Sequence, residues 1–177
     1  MRLASRLLLS LALASAPAGA LAKTVVFWQS GFPSADSPAP TESALRAAFA
    51  GADFADADHL SAVLASSDAN LLVLPYGSAW PEADWDAILQ YLDRGGNLIV
   101  LGGKPFTRAA YEDSTGWHLR SVSTAQLLEL FIDGYQETPG SGSLAFTPNN
   151  DVFPHLPSLQ WKRAFSPVVR LSVINYD

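Results

Sequence analysis

Residues 71–103, LLVLPYGSAWPEADWDAILQYLDRGGNLIVLGG, decide the fold of this chain. Two apolar runs, 71–74 and 97–101, flank a segment with helical periodicity. A helix is predicted to begin at Pro81, which suits the first helical position, and to end at Gly95-Gly96. Its apolar stripe has i, i+3, i+4, i+7 spacing: Trp85, Ile88, Leu89 and Leu92. Apolar runs without alternation are typical of strands buried on both faces of a parallel sheet. The stretch therefore predicts a strand–helix–strand unit.

The same pattern continues toward the N-terminus. Residues 23–28 (KTVVFW) predict a buried strand, and 29–40 predict a loop rich in Ser, Gly and Pro. Thr41 is expected to cap a helix that is stabilised by Glu42 and Arg46, four residues apart, and that ends at Gly51. The apolar residues of this helix are Leu45, Ala48 and Phe49.

A third unit lies between these two segments. Residues 53–59 (DFADADH) predict a short strand, and Asp58 is expected to cap a helix whose apolar side is formed by Leu60, Val63 and Leu64. The order β-α-β-α-β-α-β indicates an α/β fold, a three-layer sandwich with a mostly parallel sheet.

After Pro105 the alternation of strand and helix signals is less regular. Residues 123–135 fit a helix or an extended segment, 139–157 are rich in Gly, Pro and Asn, and 161–176 favour strands. We therefore expect an α/β domain over 23–135 and a β-rich extension over 136–177, the start of a second module. The strand-forming run close to residue 177 suggests the N-terminal fragment of a longer protein.

The first 22 residues have the features of a secretory leader. Arg2 and Arg6 precede a short apolar run, and Ala20-Leu21-Ala22 is a cleavage site of the A-x-A type. The sequence predicts export to the periplasm or the extracellular space. A retained membrane anchor is the alternative, but the run is shorter than the ~20 residues that span a bilayer.

Charge and composition exclude several functions. Removal of residues 1–22 leaves nine basic against 17 acidic residues, a net charge of −8. Such a chain is repelled by phosphate backbones and anionic lipids, so nucleic acid and membrane surfaces are not expected partners. The chain has no Cys, which excludes thiolate nucleophiles, thiolate zinc sites and iron–sulfur clusters. No cofactor is predicted.

The stretch 71–103 also resembles the class I glutamine amidotransferase-like domain, which is flavodoxin-like. The shared features are a strand that ends in Pro-x-Gly, a helix with an acidic start, a Gly-Gly turn, and a strand that ends in Gly-Gly. The resemblance covers residues 23–135. It implies a domain that occurs, without catalysis, in large secreted bacterial proteins acting on carbohydrate.

The chain departs from the catalytic members of that family at one decisive position. Those members carry a Cys in a tight turn after a sheet strand, activated by a His and an acid. Here residues 97–101 are followed by Gly102-Gly103-Lys104. No catalytic residue of the family can be carried over to this sequence.

Other chemistries have weak sequence support. Ser78 follows a strand but lacks the G-x-S-x-G elbow, and none of His59, His118 and His155 is paired with it by the sequence. Asp53, Asp56, Asp58 and His59 lack the ligand spacing of a calcium loop, so no metal site is predicted. Gly102-Gly103-Lys104 lacks both phosphate-binding signatures.

Carboxylate catalysis has one remaining candidate. A glycosidase needs two acids ~5 to 9.5 Å apart. Of the five Glu residues outside the leader, Glu42 and Glu82 suit first helical turns, and Glu112-Asp113, predicted to lie in a loop, is the remaining acid cluster. If the longer protein is a glycoside hydrolase, its acids are expected beyond Asp177.

Aromatic and polar residues follow the predicted strands. In open α/β sheets ligands bind at the carboxyl ends of the strands, and aromatic rings suit sugars. The candidate ligand-binding residues are Trp28, Gln29, Tyr76, Ser78, Trp80, Lys104, Phe106 and Arg108. Packing within the core is the alternative role of these aromatic residues.

Three functions remain open. The first is a non-catalytic exported domain that packs against downstream domains of a larger carbohydrate-active protein and contacts carbohydrate. The second is a stand-alone periplasmic binding or scaffold module. The third is a hydrolase that uses Ser78 or the Glu112-Asp113 segment.

Overall fold

The computed structural model describes residues 23–138, 142–146, 159–163 and 168–173, and the side chains of residues 23–135. The predicted leader, residues 1–22, lies outside this part. None of the helices in the described part is long and apolar enough to cross a membrane.

The elements follow the predicted alternation of strands and helices. In chain order they are β1 (Lys23–Phe27), α1 (Glu42–Ala48), β2 (Asp53–Ala55), α2 (Leu60–Leu64), β3 (Ala69–Leu74), β4 (Ala79–Pro81), a 3-10 helix (Glu82–Asp84), α3 (Trp85–Asp93), β5 (Asn97–Val100), β6 (Arg108–Asp113), β7 (Gly116–Ser121), α4 (Thr124–Leu128), β8 (Ile132–Thr138), β9 (Gly142–Phe146), β10 (Leu159–Arg163) and β11 (Val168–Val173).

Four strands form a parallel sheet in the order β2-β1-β3-β5. The chain adds β2 on one side of β1, then crosses to add β3 and β5 on the other side. The predicted α/β class with a mostly parallel sheet is confirmed.

Both faces of this sheet are covered by apolar clusters. Successive side chains of a strand point to opposite faces, so neighbouring residues of β1 belong to different clusters. Val25 and Phe27 belong to the apolar cluster that contains α2 and α3. Val26 belongs to a second cluster, with Val73 and Leu45 of α1. The central strands are therefore buried on both sides.

The edge strand β5 is less buried than its apolar sequence predicted. Its residues alternate between exposed and half-buried, and Ile99 is 37% exposed. Full burial needs a neighbouring layer on each face, and an edge strand is covered less completely than a central one.

Helix α3 begins later than predicted. Pro81 is the last residue of the short strand β4, residues 82–84 form a 3-10 turn, and the α-helix runs from Trp85. The predicted stripe is correct, with Trp85 and Ile88 buried, and Tyr91 is a further buried residue. Gly95, with φ +85°, follows the helix as predicted.

Helices α1 and α2 test the predicted caps. At α1 the Thr41 side chain accepts a hydrogen bond from the backbone N–H of Ala44, as expected. At α2 the predicted cap, Asp58, is wrong: the Asp56 carboxylate accepts the backbone N–H of His59 at 3.1 Å. Asp56 lies three residues before that N–H, the usual spacing of such a bond.

A second sheet, in the order β4-β6-β7, follows the first. β4 and β6 are parallel, whereas β6 and β7 form an antiparallel hairpin. Glu112 and Asp113 therefore end a strand, and the prediction of a loop there is wrong. The segment 123–135, left open by its sequence, contains both helix α4 and the start of β8.

Two antiparallel pairs complete the described part, β8 with β11 and β9 with β10. β8 runs across residue 135, the predicted end of the α/β domain. The division into two domains stays a prediction.

Candidate functional site

The carboxyl ends of β1 and β3 are the natural place for a site in this sheet. The strand order changes direction at β1, and ligands of open α/β sheets bind in the crevice formed at such a point. The loops that follow β1, β3 and β5 meet at this edge. Their contacts decide which side chains are available.

Ser78 holds these three loops together. Its hydroxyl is fully buried, donates to the Asp36 carboxylate and accepts the backbone N–H of Lys104 at 2.6 Å. Its own backbone N–H donates to the carbonyl of Ala35 at 2.9 Å. The hydroxyl therefore uses its one donor and one of its two acceptor lone pairs in bonds that join the loops. These bonds give Ser78 a structural role.

The close approach of the loops requires glycine at two positions. Gly77 (φ +68°) lies against the backbone of Ala35, and Gly103 (φ +64°) lies against the backbone of Ser78. A Cβ atom at either glycine would overlap the neighbouring chain. Gly103 stands in the turn after β5, where the resemblance would have placed a nucleophile.

Tyr76 joins the loop after β3 to the loop after β1. Its hydroxyl donates to the carbonyl of Gln29 and accepts the N–H of Gln29, both at 2.9 Å, and Trp28 stacks on its ring at 5.8 Å. The Gln29 side chain accepts the N–H of Ala57 at 3.2 Å. Burial raises the pKa of Tyr76 to about 12, so the phenol stays protonated.

The other predicted ligand residues lie in separate surroundings. Trp80 and Phe106 are 1% and 4% exposed, pack against Trp85, and are joined by a hydrogen bond from the Trp80 indole to the Phe106 carbonyl at 3.3 Å. Arg108 is exposed on the second sheet and donates to Ser121 at 2.6 Å.

The eight predicted residues thus divide by burial. Four have side chains inside the core: Tyr76, Ser78, Trp80 and Phe106. The other four keep accessible surface: Trp28, Gln29, Lys104 and Arg108. Ligand binding at this edge stays a prediction, and the direct contacts would fall to the second group.

The described histidines do not form a relay with Ser78. His59 contacts Asp56 through Nδ1 at 2.5 Å. His118 contacts both Thr115 and Asp113 through the same atom, Nε2, at 2.8 and 3.0 Å. A relay needs one ring nitrogen for the nucleophile and the other for the acid. His155 lies outside the described residues.

Two of the acids between 53 and 58 have different partners. Asp53 pairs with Lys23 at 2.5 Å, and Asp56 pairs with His59. Within the residues that the structure describes, no group of three or more acidic or histidine side chains is placed to hold a metal ion.

A groove beside this edge was not predicted from the sequence. It has a volume of about 720 Å³, within the range of ~300 to 1,000 Å³ that is usual for ligand sites. It lies between the residues after β2, the start of the 3-10 helix, and the β6–β7 hairpin. Its lining residues are Ala57, Asp58, Pro81, Glu82, Ala83, Ala110, Tyr111, Glu112, Trp117 and Arg120.

The groove combines an aromatic surface with charged groups. Glu112 and Trp117 are direct partners across the β6–β7 ladder, so their side chains lie on the same face. Trp117 packs against Phe32, with ring centroids 4.8 Å apart. Arg120 forms an ion pair with Glu82.

Asp84 is a buried acid that follows the groove residues Glu82 and Ala83 in the sequence. Its Oδ1 accepts the Ser61 hydroxyl at 2.5 Å, and its Oδ2 is buried without a hydrogen-bond partner among the described residues. Burial raises the pKa of the Asp84 carboxyl, and the Ser61 bond opposes that shift.

Comparisons of the chain with protein-family models, with curated proteins and with solved structures gave no match.

Proposed function

We propose that residues 23–135 form a non-catalytic, flavodoxin-like domain of the glutamine amidotransferase type, within an exported protein that acts on carbohydrate. In this proposal the domain packs against downstream domains of the same polypeptide. It contributes surface to a substrate site rather than reacting groups. The larger protein is a glycoside hydrolase.

The strand order supports the flavodoxin-like assignment. The order β2-β1-β3-β5, with parallel pairing throughout, is the order in which a doubly wound sheet is built around its first strand. Helix α1 on one face and α2 with α3 on the other complete a three-layer arrangement. A fold alone does not define an activity, so the site has to carry the functional part.

The state of Ser78 is the observation that carries the non-catalytic part. A nucleophile needs a free lone pair aimed at a substrate and a base to take its proton. The Ser78 hydroxyl is 0% exposed and bonds to Asp36 and to the Lys104 backbone. Gly103, which follows β5, carries no side chain. Neither position offers a group that can attack a carbonyl carbon.

The groove beside Trp117 favours a second candidate, a stand-alone binding module of the periplasm. A concave surface of this size with convergent polar groups is the usual form of a small-molecule site. The two functions differ in whether the site works alone or together with other domains.

One set of assays tests the proposal. The full chain, expressed with its leader, is purified and tested for hydrolysis of glutamine, of ester substrates and of glycoside substrates. We expect no turnover above that of the Ser78→Ala and Glu112→Gln variants. Turnover that either substitution abolishes would establish the hydrolase alternative and refute the proposal.

Two further measurements address export and the larger protein. Mass spectrometry of the purified product is expected to show cleavage after Ala22. The coding sequence beyond residue 177 is expected to continue into a domain with paired carboxylates. A stop codon at that point would favour the stand-alone module.

A further inference from the structure

We propose that the groove between the end of β2 and the β6–β7 hairpin binds a saccharide that carries hydroxyl or amino groups and no acidic group. This inference rests on the proposed function, which places the domain in a carbohydrate-active protein. It deepens that function by naming the surface and the chemical class of the ligand. The reasons lie in three of the lining residues: Trp117, Glu112 and Asp58.

Trp117 supplies the apolar surface. It is half-buried, and it packs on Phe32 at 4.8 Å while also lining the groove. An aromatic ring fixed in this way loses little conformational entropy when a ligand packs on it. The apolar face of a sugar ring fits such a surface.

Glu112 supplies an acceptor beside that surface. Its register opposite Trp117 places a carboxylate next to the ring on the same face of the hairpin. It is exposed, and it forms no ion pair in the part of the chain described here. Ionised carboxylates accept hydrogen bonds from hydroxyl and ammonium groups, and such charged bonds are stronger than neutral ones.

Asp58 supplies a second acceptor on the opposite wall. It comes from the segment between β2 and α2, and it is exposed. Among the lining residues that the structure describes, Arg120 is the one cation, and it is paired with Glu82. These residues therefore include three acidic groups against one basic group.

This charge balance decides the class of saccharide. An acidic saccharide would bring its carboxylate or sulfate close to Asp58 and Glu112, and like charges in a partly enclosed site repel each other. A neutral sugar meets no such repulsion. An amino sugar gains an attraction to both acids and to the ring face of Trp117.

Binding to the full chain is measured by isothermal titration calorimetry with four probes. They are a β-1,4-linked glucosamine tetrasaccharide, cellotetraose, tetragalacturonate and spermine, a tetra-amine without sugar rings. We expect the glucosamine tetrasaccharide or cellotetraose, or both, to bind and tetragalacturonate not to bind. Failure of both sugars, or equal binding of tetragalacturonate, would overturn the inference. Binding of spermine as tight as that of the glucosamine tetrasaccharide, without cellotetraose binding, would identify a cation site instead and would also overturn it.

Variants locate the site. Glu112→Gln and Trp117→Ala are each expected to weaken binding on the order of tenfold, the change produced by ~1.4 kcal/mol. Asp93→Asn, an exposed acid on α3 outside the groove, is the matched charge control and should bind as the parent does. Because Trp117 also packs on Phe32, the thermal unfolding midpoint of each variant is recorded, and the exposed Glu112 provides the test that does not depend on core packing. Unchanged affinity in Glu112→Gln would place the ligand elsewhere.

The two proposals fail in different ways. Absence of saccharide binding overturns this inference and leaves the non-catalytic role untouched. Turnover in the hydrolysis assays refutes the non-catalytic role, whatever the groove binds.

Discussion

Ser78 and Lys104 are joined by a hydrogen bond of 2.6 Å from the backbone N–H of Lys104 to the Ser78 hydroxyl. Ser78 follows β3 and Lys104 follows β5, so this bond ties together the ends of two neighbouring strands. The same hydroxyl donates to Asp36, from the loop after β1. One small side chain therefore fixes three loops at the edge where α/β domains form their sites.

Ser78→Ala is expected to destabilise the chain by roughly 1 to 3 kcal/mol, because the Lys104 N–H loses its acceptor in a partly buried position. Urea unfolding at pH 7 measures the change. The control is Ser67→Ala at an exposed serine, for which we expect less than about 0.5 kcal/mol. Equal effects of the two substitutions would show that the Ser78 bonds add nothing to stability.

Gly103→Ala is expected to be more destabilising than Gly95→Ala. Both glycines have positive φ, +64° and +85°, so both substitutions share the cost of a left-handed alanine. At Gly103 the new Cβ would also overlap the backbone of Ser78, whereas at Gly95 no described atom lies within 4 Å. Overpacking adds ~1 to 3 kcal/mol.

The comparison of the two glycine variants is made by urea unfolding under the same conditions. The difference between them isolates the close approach of the β5 loop to Ser78. If the two variants were equally stable, the loops would not be in the tight contact described here.

The repeating part of the fold could be predicted because local rules decide it. The apolar run of β1, the Thr41 cap and the Glu42–Arg46 pair are confirmed. Each depends on residues within about four positions of one another, because cap hydrogen bonds and i, i+4 ion pairs form between residues that are close in the sequence.

The second sheet and the groove could not be predicted in the same way. β4 has three residues, too few for any periodicity, and it forms because it pairs with β6 residues that are 29 positions away in the sequence. The pairing of Glu112 with Trp117 depends on the register of the hairpin. A signal for that hairpin does exist, since Asp113 and Gly116 are the first and last residues of a four-residue turn.

Asp56→Asn is expected to lower the pKa of His59 toward its ordinary value of 6.5. The Asp56 carboxylate, 2.5 Å from Nδ1, raises the pKa of His59 by stabilising the charged ring, and this interaction lowers the pKa of Asp56. The NMR shift of the His59 ring proton as a function of pH measures it. Asp53→Asn, whose carboxylate pairs with Lys23 instead, should leave the His59 titration unchanged. An unchanged His59 pKa in Asp56→Asn would contradict the contact.

The buried carboxyl of Asp84 predicts how stability depends on pH. Burial raises its pKa in the folded state above the ordinary value of 3.8, so the folded chain holds this proton more tightly than the unfolded chain. The proton favours folding below pH 3.8. That advantage is lost as the pH rises from 3.8 through the raised pKa of the folded state.

Asp84→Asn removes the titrating group. The free energy of unfolding of the parent is therefore expected to fall relative to that of the variant across this pH interval. Above the interval, the difference between the two free energies is expected to stay constant. Urea unfolding from pH 3 to pH 7 measures the difference, which cancels the contributions of other groups. Ser61→Ala removes the hydrogen bond that opposes the shift, so it should extend the interval to higher pH. This extension should be absent in the double variant with Asp84→Asn. Parallel pH profiles for the parent and Asp84→Asn would mean that Asp84 is hydrated in the folded state, because only a desolvated carboxyl keeps its proton at a pH where the unfolded chain has released it.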